Sequence, residues 1–135
     1  MAKDENYELL KYQIKMLQMM LSSVVDDDKF IFYNFVIDHN IPQSKVNIIL
    51  KSLDVLKNRI LNNKVSSETK DFCASIECLS ELFIDKEPTF KEYESFIQKH
   101  VSQELNTRYL LLSLKRQGIH IDVCEYLLKN MNSSI

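Results

Sequence analysis

Tyr7-Glu8-Leu9-Leu10-Lys11-Tyr12-Gln13-Ile14-Lys15-Met16-Leu17-Gln18-Met19-Met20-Leu21 decides the class of the fold. Tyr7, Leu10, Ile14, Leu17 and Leu21 fall at steps of 3, 4, 3 and 4, and Val24 extends the series. Such spacing keeps one side of an α-helix apolar in the manner of an a/d seam, and it does not fit the two-residue period of a strand. A second set, Leu9, Tyr12, Met16 and Met19, follows the same rhythm. With about 100° per residue, Leu9 lies roughly 200° around the helix from Tyr7. The helix, expected over about Asp4 to Ser22, is therefore apolar on two nearly opposite faces. A surface helix needs one. Two readings follow: the helix is sandwiched within its own fold, or another chain covers it. The methionine-rich second stripe suits an adaptable contact surface, and Leu9, Tyr12, Met16 and Met19 are the expected partner-binding residues.

The same period runs on through the chain with little to stop it, because its 135 residues include one glycine and two prolines. Asp26-Asp27-Asp28 interrupts the pattern and offers an N-cap to a second helix on Phe30, Tyr33, Phe35, Val36 and Ile37, a bulky set expected to be mostly buried. His39-Asn40-Ile41-Pro42 is a break, with Pro42 suited to the first turn of a third helix on Val46, Ile49, Leu50, Leu53, Leu56 and Ile60. A fourth helix is expected on Phe72, Ile76, Leu79 and Phe83. Thr89 and Glu92 have capping-box spacing and open a fifth on Phe90, Tyr93, Ile97 and Val101. Asn106 caps a sixth, whose Tyr109-Leu110-Leu111-Leu112 run covers every face and belongs at the centre. Gly118 supplies the left-handed residue past its end, and Ile121, Cys124, Leu128 and Met131 mark the last helix. The expectation is an all-α, compact array of about six to seven helices in a single domain over 1–135. Residues 62–67 read as linker-like, and 1–3 and 132–135 as frayed ends.

Composition narrows the function classes. Hydrophobic residues at 45% and charged residues at 27% are ordinary for a globular chain, and the net charge of −2 gives no general pull toward nucleic acid or anionic lipid. No apolar run reaches the roughly 18 residues of a membrane span, and no targeting segment is visible. The three cysteines, Cys73, Cys78 and Cys124, are odd in number and read as reduced thiols, so a cytoplasmic location is expected.

Several segments together resemble the YhaI-like family of small all-helical bacterial proteins of uncharacterised function. They are Leu10 to Leu21, Phe32-Tyr33-Asn34-Phe35-Val36-Ile37-Asp38 with the following turn and helix, Thr89-Phe90, and the run from Leu105 through Gly118 to Leu128. This chain departs from the family in a longer segment around Asn62 to Lys86. The resemblance implies a multihelical, self-associating protein, and it supplies no activity and no site residues. A composition rich in lysine, asparagine and isoleucine also suits a low-GC bacterium or its phage.

No pattern of catalytic, cofactor-binding or metal-ligating residues stands out. An EF-hand loop counted from Asp26 would need glycine and glutamate where Ile31 and Ile37 stand. Cys73 and Cys78 lie about 140° apart on a helix and have no second pair. His39, His100 and His120 are scattered beside helix ends, and no glutamate has the spacing of a di-iron bundle. One glycine cannot build a phosphate loop. A thiol enzyme or redox sensor would need an exposed, low-pKa cysteine.

One segment is basic: residues 40–67 carry five basic groups and one acidic. There Ile41-Pro42-Gln43-Ser44-Lys45-Val46-Asn47 is similar to the approach to a recognition helix, with Gln43, Ser44, Lys45, Asn47 and Lys51 of the types that contact bases and phosphates. The leading expectation is a non-enzymatic protein-interaction module, a homodimer that regulates or inhibits another protein. A helix-turn-helix DNA-binding regulator using the 42–60 helix is the alternative.

Overall fold

The computed structural model describes residues 2–133, and among them the chain is all-helical, with no strand. Seven α-helices follow one another: α1 (Ala2–Ser22), α2 (Ile31–Asp38), α3 (Gln43–Asn62), α4 (Ser67–Phe72), α5 (Phe90–His100), α6 (Thr107–Gln117) and α7 (Ile121–Ser133). Short 3-10 helices cover Asp27–Lys29 and Glu77–Leu82. Ala2, Lys3, Asn132 and Ser133, expected to fray, are helical; Met1, Ser134 and Ile135 lie outside the described residues.

Helix α3 is the axis of the fold. It buries Ile48, Ile49, Ser52, Leu53, Val55, Leu56 and Arg59, and it packs against the Glu77–Leu82 helix, α4, α5 and α7. Helices α2 and α6 form the closest pair, with α7 on the other side of α6. One continuous apolar cluster joins them, and residues before Phe32 supply none of its fully buried members. Helix α1 packs closely against no other element.

Caps terminate the helices by local chemistry. Thr89 and Asn106 accept the backbone N–H of Glu92 (3.1 Å) and Tyr109 (3.0 Å), and Gly118 takes φ 89° past the end of α6. The linker-like 62–67 stretch is an ordered turn. Asn63 is left-handed, Val65 is buried, and Asn58 Oδ1 accepts from Ser66 N and Thr69 Oγ1.

Four expectations are corrected by packing. The aspartate triplet does not cap α2: its N-cap is Phe30, and Gln117 Oε1 from α6 accepts the N–H groups of Phe32 (2.8 Å) and Tyr33 (3.2 Å). Within α2 only Phe32 is fully buried, and Tyr33 and Ile37 are exposed. The fourth helix is broken into α4 and the Glu77–Leu82 helix. Leu79 and Leu82, three apart, eclipse on one side of a 3-10 turn and enter the core while Phe72 points outward. In α6, Leu110, Leu111 and Leu114 are buried, but Tyr109 is 57% exposed, so the run does not bury every face.

The break is held in place by Arg59, whose side chain is fully buried. Its guanidinium pairs with both Glu92 carboxylate oxygens (2.5 and 2.8 Å) and donates to the carbonyls of Lys86 (2.9 Å), Leu82 (3.3 Å) and Glu87 (3.5 Å). Every donor position on the fork therefore faces an acceptor. Glu92 was expected to return to the Thr89 N–H in a capping box; the arginine takes its carboxylate instead.

Glu92→Gln leaves a buried guanidinium without its counter-charge. Loss of one partner of such a pair costs about 3 kcal/mol or more, which should lower the melting temperature by roughly 10 °C. Thr89→Ala, which removes only the cap, should cost about 1 kcal/mol. Thermal unfolding followed by circular dichroism reads both; equal effects would contradict this assignment.

Candidate interaction surface

Helix α1 runs antiparallel to α2 and meets it through polar groups. Asp4, Glu8, Lys11, Lys15, Gln18 and Ser22 recur at steps of four and three and so share one stripe. Along that stripe Lys15 Nζ pairs with Asp38 Oδ1 (2.6 Å), and Gln18 Nε2 donates to Asn34 Oδ1 (3.1 Å). Leu21, Ser22, Val25, Phe30 and Asn34 line a small recess at the other end. Since Lys15 sits over Asp38, the last residue of α2, the part of α1 before Lys15 extends past the end of α2 as an arm. Every side chain from Asp4 to Leu17 is exposed.

Both apolar stripes consequently face solvent. Tyr7, Leu10, Ile14, Leu17 and Leu21 are exposed on one, with exposed Val24 in the turn just past the helix, and Leu9, Tyr12, Met16 and Met19 on the other, with Tyr12 62% and Met19 71% accessible. The sandwich within the chain's own fold is therefore not what the structure shows. An ordinary amphipathic helix turns its apolar side inward; α1 turns its polar stripe inward and its apolar arc outward. Together with Met20, these side chains leave on the order of 1,000 Å² of apolar surface divided between two stripes, so that each stripe is about the size of the roughly 300–600 Å² largest patch on a typical monomer and a single helix carries two of them.

Beside α1 lies an open groove of about 410 Å³ between α2 and α6, walled by Ile31, Phe35, His39, Tyr109, Leu112 and Arg116. Asn34 and Asp38 form its floor, and they also floor a recess of about 280 Å³ walled by Met19 of α1. The two make one trough with Met19 on one bank and Tyr109 and Leu112 on the other.

The residues of the DNA-binding alternative sit at the start of α3. Gln43, Ser44 and Asn47 are exposed. Lys45 Nζ donates to the His100 carbonyl (2.7 Å), whereas Lys51 donates to the Phe72 carbonyl (3.3 Å) with its ammonium 4.7 Å from the Phe72 ring centre. Both lysines thus serve contacts within the chain.

The three histidines, Glu81 and Tyr93 have structural partners. His39 stacks on Phe35 with Nδ1 2.9 Å from its carbonyl, His100 lies 2.6 Å from Glu81, and His120 lies 3.5 Å from Asp54. Hydrogen bonds from Lys99 and His100 hold the Glu81 carboxyl below its usual range. Buried Tyr93 shares its hydroxyl with Ser52 (2.8 Å), and desolvation pushes its ionisation up. Among the described residues no three of His, Cys, Asp and Glu gather closely enough to hold a metal ion, and no helix is long and apolar enough to cross a membrane. No family model matches the chain, and no curated protein or solved structure is significantly similar to it.

All three cysteines are unpaired, and burial raises each thiol above its usual value, Cys124 to about 12. The thiolate is the reactive form, so labelling at neutral pH should be slow at partly exposed Cys78 and absent at Cys73 and Cys124 until the protein unfolds. Rapid modification of any one in the native state, followed by mass spectrometry, would contradict this.

Proposed function

We propose that this protein is a non-enzymatic protein-interaction module, a self-associating regulator or inhibitor of another protein, with α1 as its contact helix. The observation that carries the reading is the inverted orientation of α1, polar stripe inward and apolar arc outward. Apolar helix surface of this extent favours association, because covering it removes it from water. A protein surface suits it better than a lipid one. Its charged residues, Lys3, Asp4, Glu5, Glu8, Lys11 and Lys15, balance to zero, whereas helices that lie on anionic membranes are rich in Lys and Arg on the polar face. The resemblance to YhaI-like proteins points the same way, toward self-association, and the three unpaired thiols suit the reducing cytoplasm.

DNA recognition is the weaker reading. A recognition helix needs a free face along the groove and cationic groups for phosphates. Here α3 is the most deeply embedded helix, and Lys45 and Lys51 are committed to backbone carbonyls.

Each large side chain buried at such a surface contributes on the order of 1.5–3 kcal/mol. Tyr12→Glu combined with Met16→Glu should weaken association at least about a hundredfold without loss of helix content. Light scattering and circular dichroism together decide this. Unfolding would assign the stripe to the monomer's own core, and an unchanged mass would remove it from the interface.

A further inference from the structure

The two apolar stripes of α1 do not have equivalent surroundings. Met19, on the Leu9–Tyr12–Met16–Met19 stripe, borders the trough whose far bank is Tyr109 and Leu112. The Tyr7–Leu10–Ile14–Leu17 stripe lies nearly opposite on the helix and so turns away from that trough. Each chain therefore carries one apolar ridge and one trough with apolar side chains on both banks over a polar floor, facing different ways.

We infer that the trough receives the α1 ridge of a second copy of this chain, so that Tyr7, Leu10, Ile14 and Leu17 of one copy lie between Met16 and Met19 and Tyr109 and Leu112 of the next. This rests on the interaction-module reading above and names the partner for one of its faces.

Charge favours this occupant. The ridge has no ionisable side chain other than the Tyr7 phenol. In the trough, Asp38 is paired with Lys15, and Arg116 with Asp28 (2.7 Å), within the same chain. The one cation against the ridge, Lys11, lies 5.7 Å from the Tyr7 ring centre at the exposed end of the helix, so the apolar part from Leu10 to Leu17 enters the trough without bringing a charge of its own. An acidic or basic peptide would find no free counter-charge among these groups.

The area suffices when both faces of each copy are used. A single contact engages on the order of 400 Å² of apolar ridge on one copy, about half of the roughly 800 Å² per partner of a standard stable interface, and a reciprocal exchange, in which each copy buries both ridge and trough, reaches that size. A ridge in a trough is a heterologous contact. It closes as a ring or exchanges arms reciprocally, in contrast to an α1–α1 coiled coil, where like stripes meet like.

Complementation tests this. Leu10→Glu spoils the ridge and leaves the trough; Tyr109→Glu, at an exposed position, spoils the trough and leaves the ridge. Each variant alone should sediment as a 15.9 kDa monomer with native helix content. Mixed, they should form a 1:1 dimer through the one intact ridge and one intact trough. Persistence of the oligomer in Tyr109→Glu would overturn the assignment of the trough, and persistence in Leu10→Glu that of the ridge. If both variants are monomeric and stay so when mixed, a single ridge-in-trough contact does not hold two copies, and the heterologous pairing is overturned in favour of a symmetric contact that uses both Leu10 and Tyr109. A wild-type protein that is monomeric throughout overturns the inference and returns α1 to a different partner. Should Tyr109→Glu unfold, Leu112→Glu takes its place on the same bank.

Discussion

Arg59 is the constraint around which the fold is arranged. Its buried guanidinium binds Glu92 of α5 and three carbonyls of the 82–87 stretch. That stretch is irregular, with Ile84 to Glu87 exposed, and Arg59 ties three of its carbonyls to the central helix. One side chain from the central helix therefore orients α5, ends the Glu77–Leu82 helix and fixes the course of the chain between them. A buried ion pair is poor evidence of net stability, since desolvation offsets much of the attraction. Its value here is geometric: five donors in a rigid fork admit one arrangement of their acceptors. With that region settled, α5 and α7 close over α3, and α6 is left to hold α2 through the Gln117 cap.

Helix α1 stands outside this scheme. It reaches the rest of the chain through a lysine–aspartate pair and a glutamine amide, both partly solvated, and such contacts contribute little. Its apolar side chains find almost no burial in the monomer. A helix of 21 residues is longer than the roughly 12–15 below which isolated helices are marginal, but most helical stability in proteins comes from packing of an apolar face. Cover from another protein would stabilise both the helix and its position over α2, which links the structural role of α1 to its proposed one.

Much of the fold was legible because helix period, caps and breaks are local signals. Thr89, Asn106 and Gly118 act where their chemistry placed them, and the two stripes of α1 are real. What failed was non-local. The period through Phe72, Ile76, Leu79 and Phe83 describes a continuous helix, but burial of Leu82 with Leu79 and the pull of Arg59 on the Leu82 carbonyl favour a shorter, tighter turn. The Arg59–Glu92 pair spans 33 residues, and Gln117 caps a helix 85 residues away. No local pattern carries either. For the candidate surface, the stripe Leu9, Tyr12, Met16 and Met19 could be read directly. The trough could not, because Tyr109 and Leu112 belong to a run that covers every face of a helix and so predicts burial, and its floor comes from α2. The polar stripe of α1 was visible as spacing, yet only packing shows that it faces inward.

The central claim is that the apolar arc of α1 is covered by protein in solution. Amide hydrogen exchange of the wild-type chain, followed by mass spectrometry as a function of protein concentration, addresses it most directly. The account predicts that peptides from 4–22 are protected at high concentration and lose protection on dilution, while those of α3 and α5 stay protected throughout. Fast exchange across 4–22 at every concentration, in a protein of monomer mass, would contradict it.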